Sequence, residues 1–228
     1  PDNTWFGFSK RARVFVFNKE KMQAATGPQT YEDLADPKWK GKVLIRSSGN
    51  IYNQSLTGSV LAADGPEKTE AWAKGVAANL ARPPRGGDTD QIKGVASGEC
   101  GVALTNSYYW VRLVRSEDPK DKAVVSRVGF VWPNQATTGA HMNISGGGVA
   151  KNAPHRENAV AFLEYLTSPK AQAYFADGNN EWPAVASVKL NNPALTALGT
   201  FKPDDINVGE LAKNAAKAQK LYDRAGWR

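Results

Sequence analysis

Val102-Ala103-Leu104-Thr105-Asn106-Ser107-Tyr108-Tyr109-Trp110-Val111-Arg112 is the stretch on which the fold turns. Its first four residues form a short apolar run ending in a β-branched residue, which reads as a buried strand. Asn106-Ser107 has the chemistry of a helix cap, so Tyr108 opens a helix directly behind that strand. The same unit occurs upstream. Val43-Leu44-Ile45 reads as a short buried strand, Ser47-Ser48-Gly49-Asn50 as a loop, and residues 51–63 as a helix. Strands alternating with helices imply an α/β architecture with a mostly parallel sheet.

Working outward, residues 11–18 alternate and end at Asn18, which makes a strand with Arg11, Arg13, Phe15 and Phe17 on one face. Residues 31–35 form a short helix. Pro66 opens another, with Trp72, Val76 and Leu80 at helical spacing. Asp88 with Gln91 three residues on reads as a capping box, opening a helix that runs to Ala96. Residues 128–132 and 141–150 read as strands, the second carrying Gly146-Gly147-Gly148. Helical patterns cover 157–166, 169–175 and 208–225, the last stopped by Gly226.

Composition narrows the function. The 228 residues carry 29 Lys and Arg against 22 Asp and Glu, a net charge of +7. The basic residues are dispersed and match no nucleic-acid motif, so no nucleic acid is expected as partner. No apolar run reaches the roughly 18 residues that span a membrane. Pro1-Asp2-Asn3-Thr4 lacks both a basic and an apolar leader region, so the start reads as a processed or truncated end. The lone Cys100 excludes an internal disulfide and multi-thiolate metal clusters, and reads as a small core residue. His141 and His155 stand without metal-binding spacing, and His155 reads as exposed. Neither a nucleophile elbow nor a nucleotide-binding P-loop occurs. Gly146–Gly148 reads as closely packed strand in preference to a phosphate cradle. The chain reads as a binder, not an enzyme.

Binding chemistry concentrates in phenols. Seven tyrosines in 228 residues give about 0.2 adjacent pairs by chance, so the Tyr108-Tyr109 tandem carries little weight alone. Its position carries more. At the first turn of a helix after a strand, both phenols can lean over the sheet edge where open α/β folds bind ligands. Arg112 shares their side of the helix. Tyr52 occupies the equivalent place behind Val43-Leu44-Ile45. Phenolate oxygens suit Fe³⁺ far better than soft metals. On spacing alone two readings stand, a phenolate metal site or three packed tyrosines with hydrogen-bonded hydroxyls.

Further stretches carry a family resemblance: Trp5-Phe6-Gly7 with Arg11-Ala12-Arg13-Val14, Tyr31-Glu32-Asp33-Leu34 with Pro37-Lys38-Trp39-Lys40-Gly41-Lys42-Val43, Ser48-Gly49-Asn50-Ile51-Tyr52-Asn53-Gln54, Ser168-Pro169-Lys170-Ala171-Gln172 and Asn180-Glu181-Trp182-Pro183. With the tandem tyrosine, the chain resembles the type-2 periplasmic solute-binding proteins, specifically the ferric-iron group with its cyanobacterial members. The resemblance implies the two-lobed periplasmic-binding-protein type 2 fold, one lobe nearly complete and the other partial. Residues 7–135 plus 187–228 would form the C-terminal lobe with the tyrosines, and residues 1–6 plus 136–186 part of the N-terminal lobe. Family members carry a long further segment ahead of Trp5, so apolar surface is expected around 141–149.

The resemblance also implies a periplasmic monomer that binds Fe³⁺ and delivers it to the permease of an ABC transporter. Tyr52, Tyr108 and Tyr109 match metal-ligand positions. Arg11 (or Arg13 on the same strand face), Arg112 and Ser48 match positions that support the phenolates or hold carbonate or another small anion. A binding protein of the same fold for a polyamine, thiamine or oxyanion is the alternative.

Overall fold

A computed structural model describes residues 5–227, so the reading of Pro1–Thr4 as a processed end lies outside it. The chain begins with a 13-residue strand, β1 (Phe6–Asn18), then β2 (Val43–Leu44) and a long helix, α1 (Ile51–Ala78). Next come α2 (Asp88–Ala96), β3 (Val102–Asn106), α3 (Ser107–Arg115), α4 (Pro119–Arg127) and β4 (Val128–Val131). The remainder holds β5 (Met142–Gly147), α5 (Arg156–Leu166), α6 (Pro169–Asn179), β6 (Trp182–Pro183), the short α7 (Pro193–Thr196) and α8 (Val208–Ala225). Gly65 breaks α1 in two with φ +80, a backbone angle glycine accepts without a Cβ penalty, and Pro66 restarts the helix. Among the described residues no helix is long and apolar enough to cross a membrane.

Two compact units emerge. The larger comprises Ala12–His141 and the segment from Phe201 onward. The smaller comprises the chain up to Arg11 together with Met142–Thr200. These limits differ from the lobe limits that the resemblance implies, at 6/7, 135/136 and 186/187. The reason is β1, a continuous strand that enters two sheets, so the division falls inside it and not at a linker.

In the larger unit the strand order is β2-β3-β1-β4. β1 lies antiparallel to β3, from Arg13 opposite Asn106 to Phe17 opposite Val102, and antiparallel to β4 on its other side. Among the described strands of this sheet, β2 and β3 pair in parallel. The expected mostly parallel sheet is therefore corrected to a mixed one. Helical crossovers do set β2, β3 and β4 pointing one way, but β1 inserts between β3 and β4 in the opposite sense. A core of Phe15, Leu34, Val43, Ile45, Leu56, Trp72, Val76, Val102, Leu104, Tyr222 and Trp227 fills this unit.

In the smaller unit the first half of β1 pairs with β6, Ser9 opposite Pro183, and with β5. A Cβ on Gly146 would overlap the Trp5 ring and the Phe6 carbonyl, which bears out the reading of this glycine as closely packed strand. The residues of 142–147 are mostly half-buried. The exposed apolar side chains of this unit lie elsewhere, at Trp5, Phe6, Phe162, Tyr165 and Tyr174. The expected apolar surface around 141–149 thus shifts mainly to α5 and α6, because β5 is covered by its own neighbours.

Candidate metal centre

Tyr52 is the second residue of α1, and Tyr108 and Tyr109 are the second and third of α3. Each helix start needs acceptors for its free N–H groups. For α1 the Asn50 side chain accepts from the Tyr52 N–H at 3.0 Å. For α3 the expected Asn106 side-chain cap does not form. Asn106 stands at the cap position, but its Oδ1 accepts from Arg13 at 3.3 Å, while its own N–H donates to the Asp88 carboxylate at 2.7 Å. Ser107 Oγ accepts from the Ala12 N–H at 3.3 Å, tying the helix start to β1.

These two helix starts bring the phenols together. The Tyr52 and Tyr108 hydroxyls stand 2.8 Å apart. The Tyr108 and Tyr109 rings lie 4.2 Å apart between centroids, tilted by 31°. All three side chains are half-buried. Burial, with hydrogen bonds to Tyr109 and Tyr52, raises the Tyr108 phenol well above its ordinary range. As it stands the Tyr108 hydroxyl is hydrogen-bonded within the cluster, and its burial favours the protonated form. A trivalent cation among the oxygens reverses that preference, since each phenolate then gains an opposite charge. Among the described residues no three His, Cys, Asp or Glu side chains gather where they could hold a metal.

Cations flank the phenols. Arg112 lays its guanidinium over the Tyr109 ring at 5.0 Å and donates to Thr89 Oγ1 at 2.6 Å, so it meets the face of the ring. A second guanidinium, Arg46, lies over the Tyr52 ring at the same 5.0 Å. Sequence reasoning missed Arg46, although its place directly behind a short strand marks the sheet edge where ligands bind. Ser48 is buried in the loop ahead of α1, and among the described residues no hydrogen bond joins its hydroxyl to the phenols. Arg11 belongs to the smaller unit, where it donates to Ser145 Oγ at 2.5 Å and faces Glu181 at 3.8 Å. Its neighbour by sequence, Arg13, is in the larger unit and fully buried.

Comparison with known proteins follows from this geometry. The family pattern of the bacterial extracellular solute-binding proteins matches residues 1–203. The chain belongs to that family. This solute-binding protein is 51% identical over its whole length to iron uptake protein A1 of Synechocystis and spans 63% of that relative. Among solved structures it is similar to Trichodesmium IdiA (FutA) in complex with iron and citrate, at 55% identity and TM-score 0.93, covering 98% of this chain and 70% of that one. It is also similar to the ferric binding protein of Campylobacter jejuni, at 40% identity and TM-score 0.95, covering all of this chain and 72% of that one. The fold is therefore the two-lobed α/β fold of the periplasmic ferric-binding proteins, of which the chain spans about 70%. The family consists of binding proteins and not enzymes.

One arrangement in the larger unit imitates an enzyme. Ser55 Oγ and His141 Nε2 are 2.8 Å apart, and His141 Nδ1 lies 2.8 Å from Asp204 Oδ2. Sequence reasoning missed this set because the three residues are far apart in the chain. It is a serine–histidine–aspartate order without access, since Ser55 and His141 are both buried and Ser55 sits inside a helix. A nucleophile must reach its substrate, so the set serves to tie α1 to the segments at His141 and Asp204.

Proposed function

We propose that this solute-binding protein takes up ferric iron in the periplasm through the phenolates of Tyr52, Tyr108 and Tyr109 and delivers it to the permease of an ABC transporter. The observation that carries the reading is the 2.8 Å contact between the Tyr52 and Tyr108 hydroxyls, with the Tyr109 ring tilted against that of Tyr108. Such a contact concentrates hard oxygen donors in one place, and three phenolates balance the charge of Fe³⁺. The iron-related names of its relatives point the same way. Arg46 and Arg112, over the outer two rings, offset the negative charge the phenolates acquire. Water, carbonate or another small anion, or donors from further chain, would complete a six-position shell. Ser48, in the loop ahead of α1, would help hold such an anion.

The test is colour. Ferric citrate added to the protein should give a visible tyrosinate-to-iron band. Tyr108→Phe and Tyr109→Phe should each weaken that band and lower iron affinity by more than about a hundredfold, beyond the usual effect of residues one step from a metal. Metal-free melting should change little. A colourless wild-type complex would sink the phenolate assignment.

A further inference from the structure

Behind the phenols lies a buried charge cluster that the proposed ligation does not use. Asp88, the first residue of α2, is fully buried. The expected capping role does not fall to it, because Gly87 holds the cap position and its N–H donates to Asp90 at 2.7 Å. Asp88 instead turns inward. One oxygen accepts from Arg13 at 3.0 Å and from the Asn106 N–H at 2.7 Å. The other faces Arg46 at 3.5 Å. Arg13 is caged further by Asn53 Oδ1 at 2.8 Å and the Leu104 carbonyl at 3.4 Å. Asn53 in turn donates to the carbonyls of Arg46 and Ser47 at 2.8 and 3.0 Å.

Followed outward, each arm ends at a phenol. Through Arg46, Asp88 reaches the face of the Tyr52 ring. Through the Asn106 N–H it fixes the residue two positions ahead of Tyr108. A buried carboxylate loses most of its hydration, so it holds its few partners in narrow geometry. We infer that Asp88 is the positioning residue of the phenol site, one carboxylate that sets the Arg46–Tyr52 side and the Asn106–Tyr108 side against each other. This rests on the proposed phenolate ligation for its functional meaning. Its structural content stands apart from the metal.

The experiment uses the 228-residue chain with and without ferric citrate. Asp88→Asn keeps the shape and an acceptor for Asn106 but removes the charge that holds both guanidiniums. Hydrogen exchange in the metal-free protein should speed up at the amides of Asn106 and Tyr108. With iron, the visible band should shift and iron release should quicken about tenfold. That quickening should shrink in a Tyr52→Phe background, as expected for residues acting through one another. Should Asp88→Asn fail to fold, Arg46→Met supplies the same readouts while leaving the Arg13–Asp88 pair intact. A band and a release rate unchanged in the folded variant would overturn the inference, as would an equal effect with and without Tyr52. Absence of any band in wild type, with exchange still quickened, would sink the phenolate reading and leave the positioning role standing.

Discussion

Arg11 and Arg13 lie two residues apart on one strand, yet they belong to units built on different principles. Arg13, in the larger unit, is 1% exposed and bonds to a carboxylate, two side-chain amides or carbonyls and a backbone carbonyl. Around that cage stands an extensive apolar core. Arg11, in the smaller unit, meets Ser145 and, at 3.8 Å, Glu181, which also accepts from Ser9. The interior there mixes polar and apolar side chains, with Ser9, Gln172, Glu181 and Asn192 buried beside Phe8, Ala171, Leu195 and Leu198. Gln172 donates to the Phe8 and Leu166 carbonyls and accepts from the Val185 N–H, and Asn192 donates to the Ala176 carbonyl. Helix α5 has no buried residue, and Phe162 and Tyr174 are 60% and 69% exposed. The larger unit is held by apolar burial around a buried Arg13–Asp88 pair. In the smaller, amide side chains that satisfy the backbone stand among a short set of buried apolar ones.

The difference can be broken first at the arginines. Arg13→Gln should cost about 3–5 kcal/mol of stability, because it leaves Asp88 buried with a weaker partner. Arg11→Gln should cost clearly less. Urea unfolding of both variants checks this, and equal losses would erase the contrast.

The cores give the next test. Leu104→Ala, at a fully buried site, should destabilise by about 2–5 kcal/mol. Phe162→Ala removes a larger side chain yet should stay within about 0.5 kcal/mol, as surface changes do. A large loss from Phe162→Ala would mean that α5 is packed against something in solution.

A smaller effect should follow pH. Burial raises the phenols of Tyr31 and Tyr222 well above the ordinary value of 10.0, as burial and neighbouring phenols do for Tyr108. Between the unfolded and folded values the unfolded chain binds fewer protons, so stability present below pH 10 should be lost as pH rises past it. The loss should be on the order of 1 kcal/mol for each of the fully buried Tyr31 and Tyr222 one unit above that point, and smaller for the half-buried Tyr108. All three belong to the larger unit, so unfolding probes placed there should respond first. A flat profile from pH 8 to 11 would show that these hydroxyls are wetter than their burial indicates.

Much of this was legible in the sequence for a physical reason. Short apolar runs followed by capping residues mark βα units locally, and that located Tyr52, Tyr108 and Tyr109 at two helix starts. Phenols at equivalent places on two such units can be juxtaposed without knowledge of the rest. The Asp88 cluster could not be found that way. Asp88 and Arg13 are 75 positions apart, and Asp88 resembles a cap in every local respect. Sheet direction was misjudged for a related reason, since alternation along the chain does not reveal that β1 slots between β3 and β4. Helix α4 was overlooked because its residues are largely exposed and carry little apolar period.

Because β1 runs unbroken through both sheets, its side chains keep a single parity from Phe6 to Asn18. One residue inserted between Arg11 and Ala12 would exchange odd for even in one half of the strand. Either the Arg13 guanidinium would leave Asp88 for the opposite face, or Phe8 and Ser9 would trade sides. Two inserted residues would preserve the alternation and lengthen the strand by about 6.6 Å. Length changes within β1 should therefore be tolerated in steps of two, a counting rule set by the pleat of a single strand.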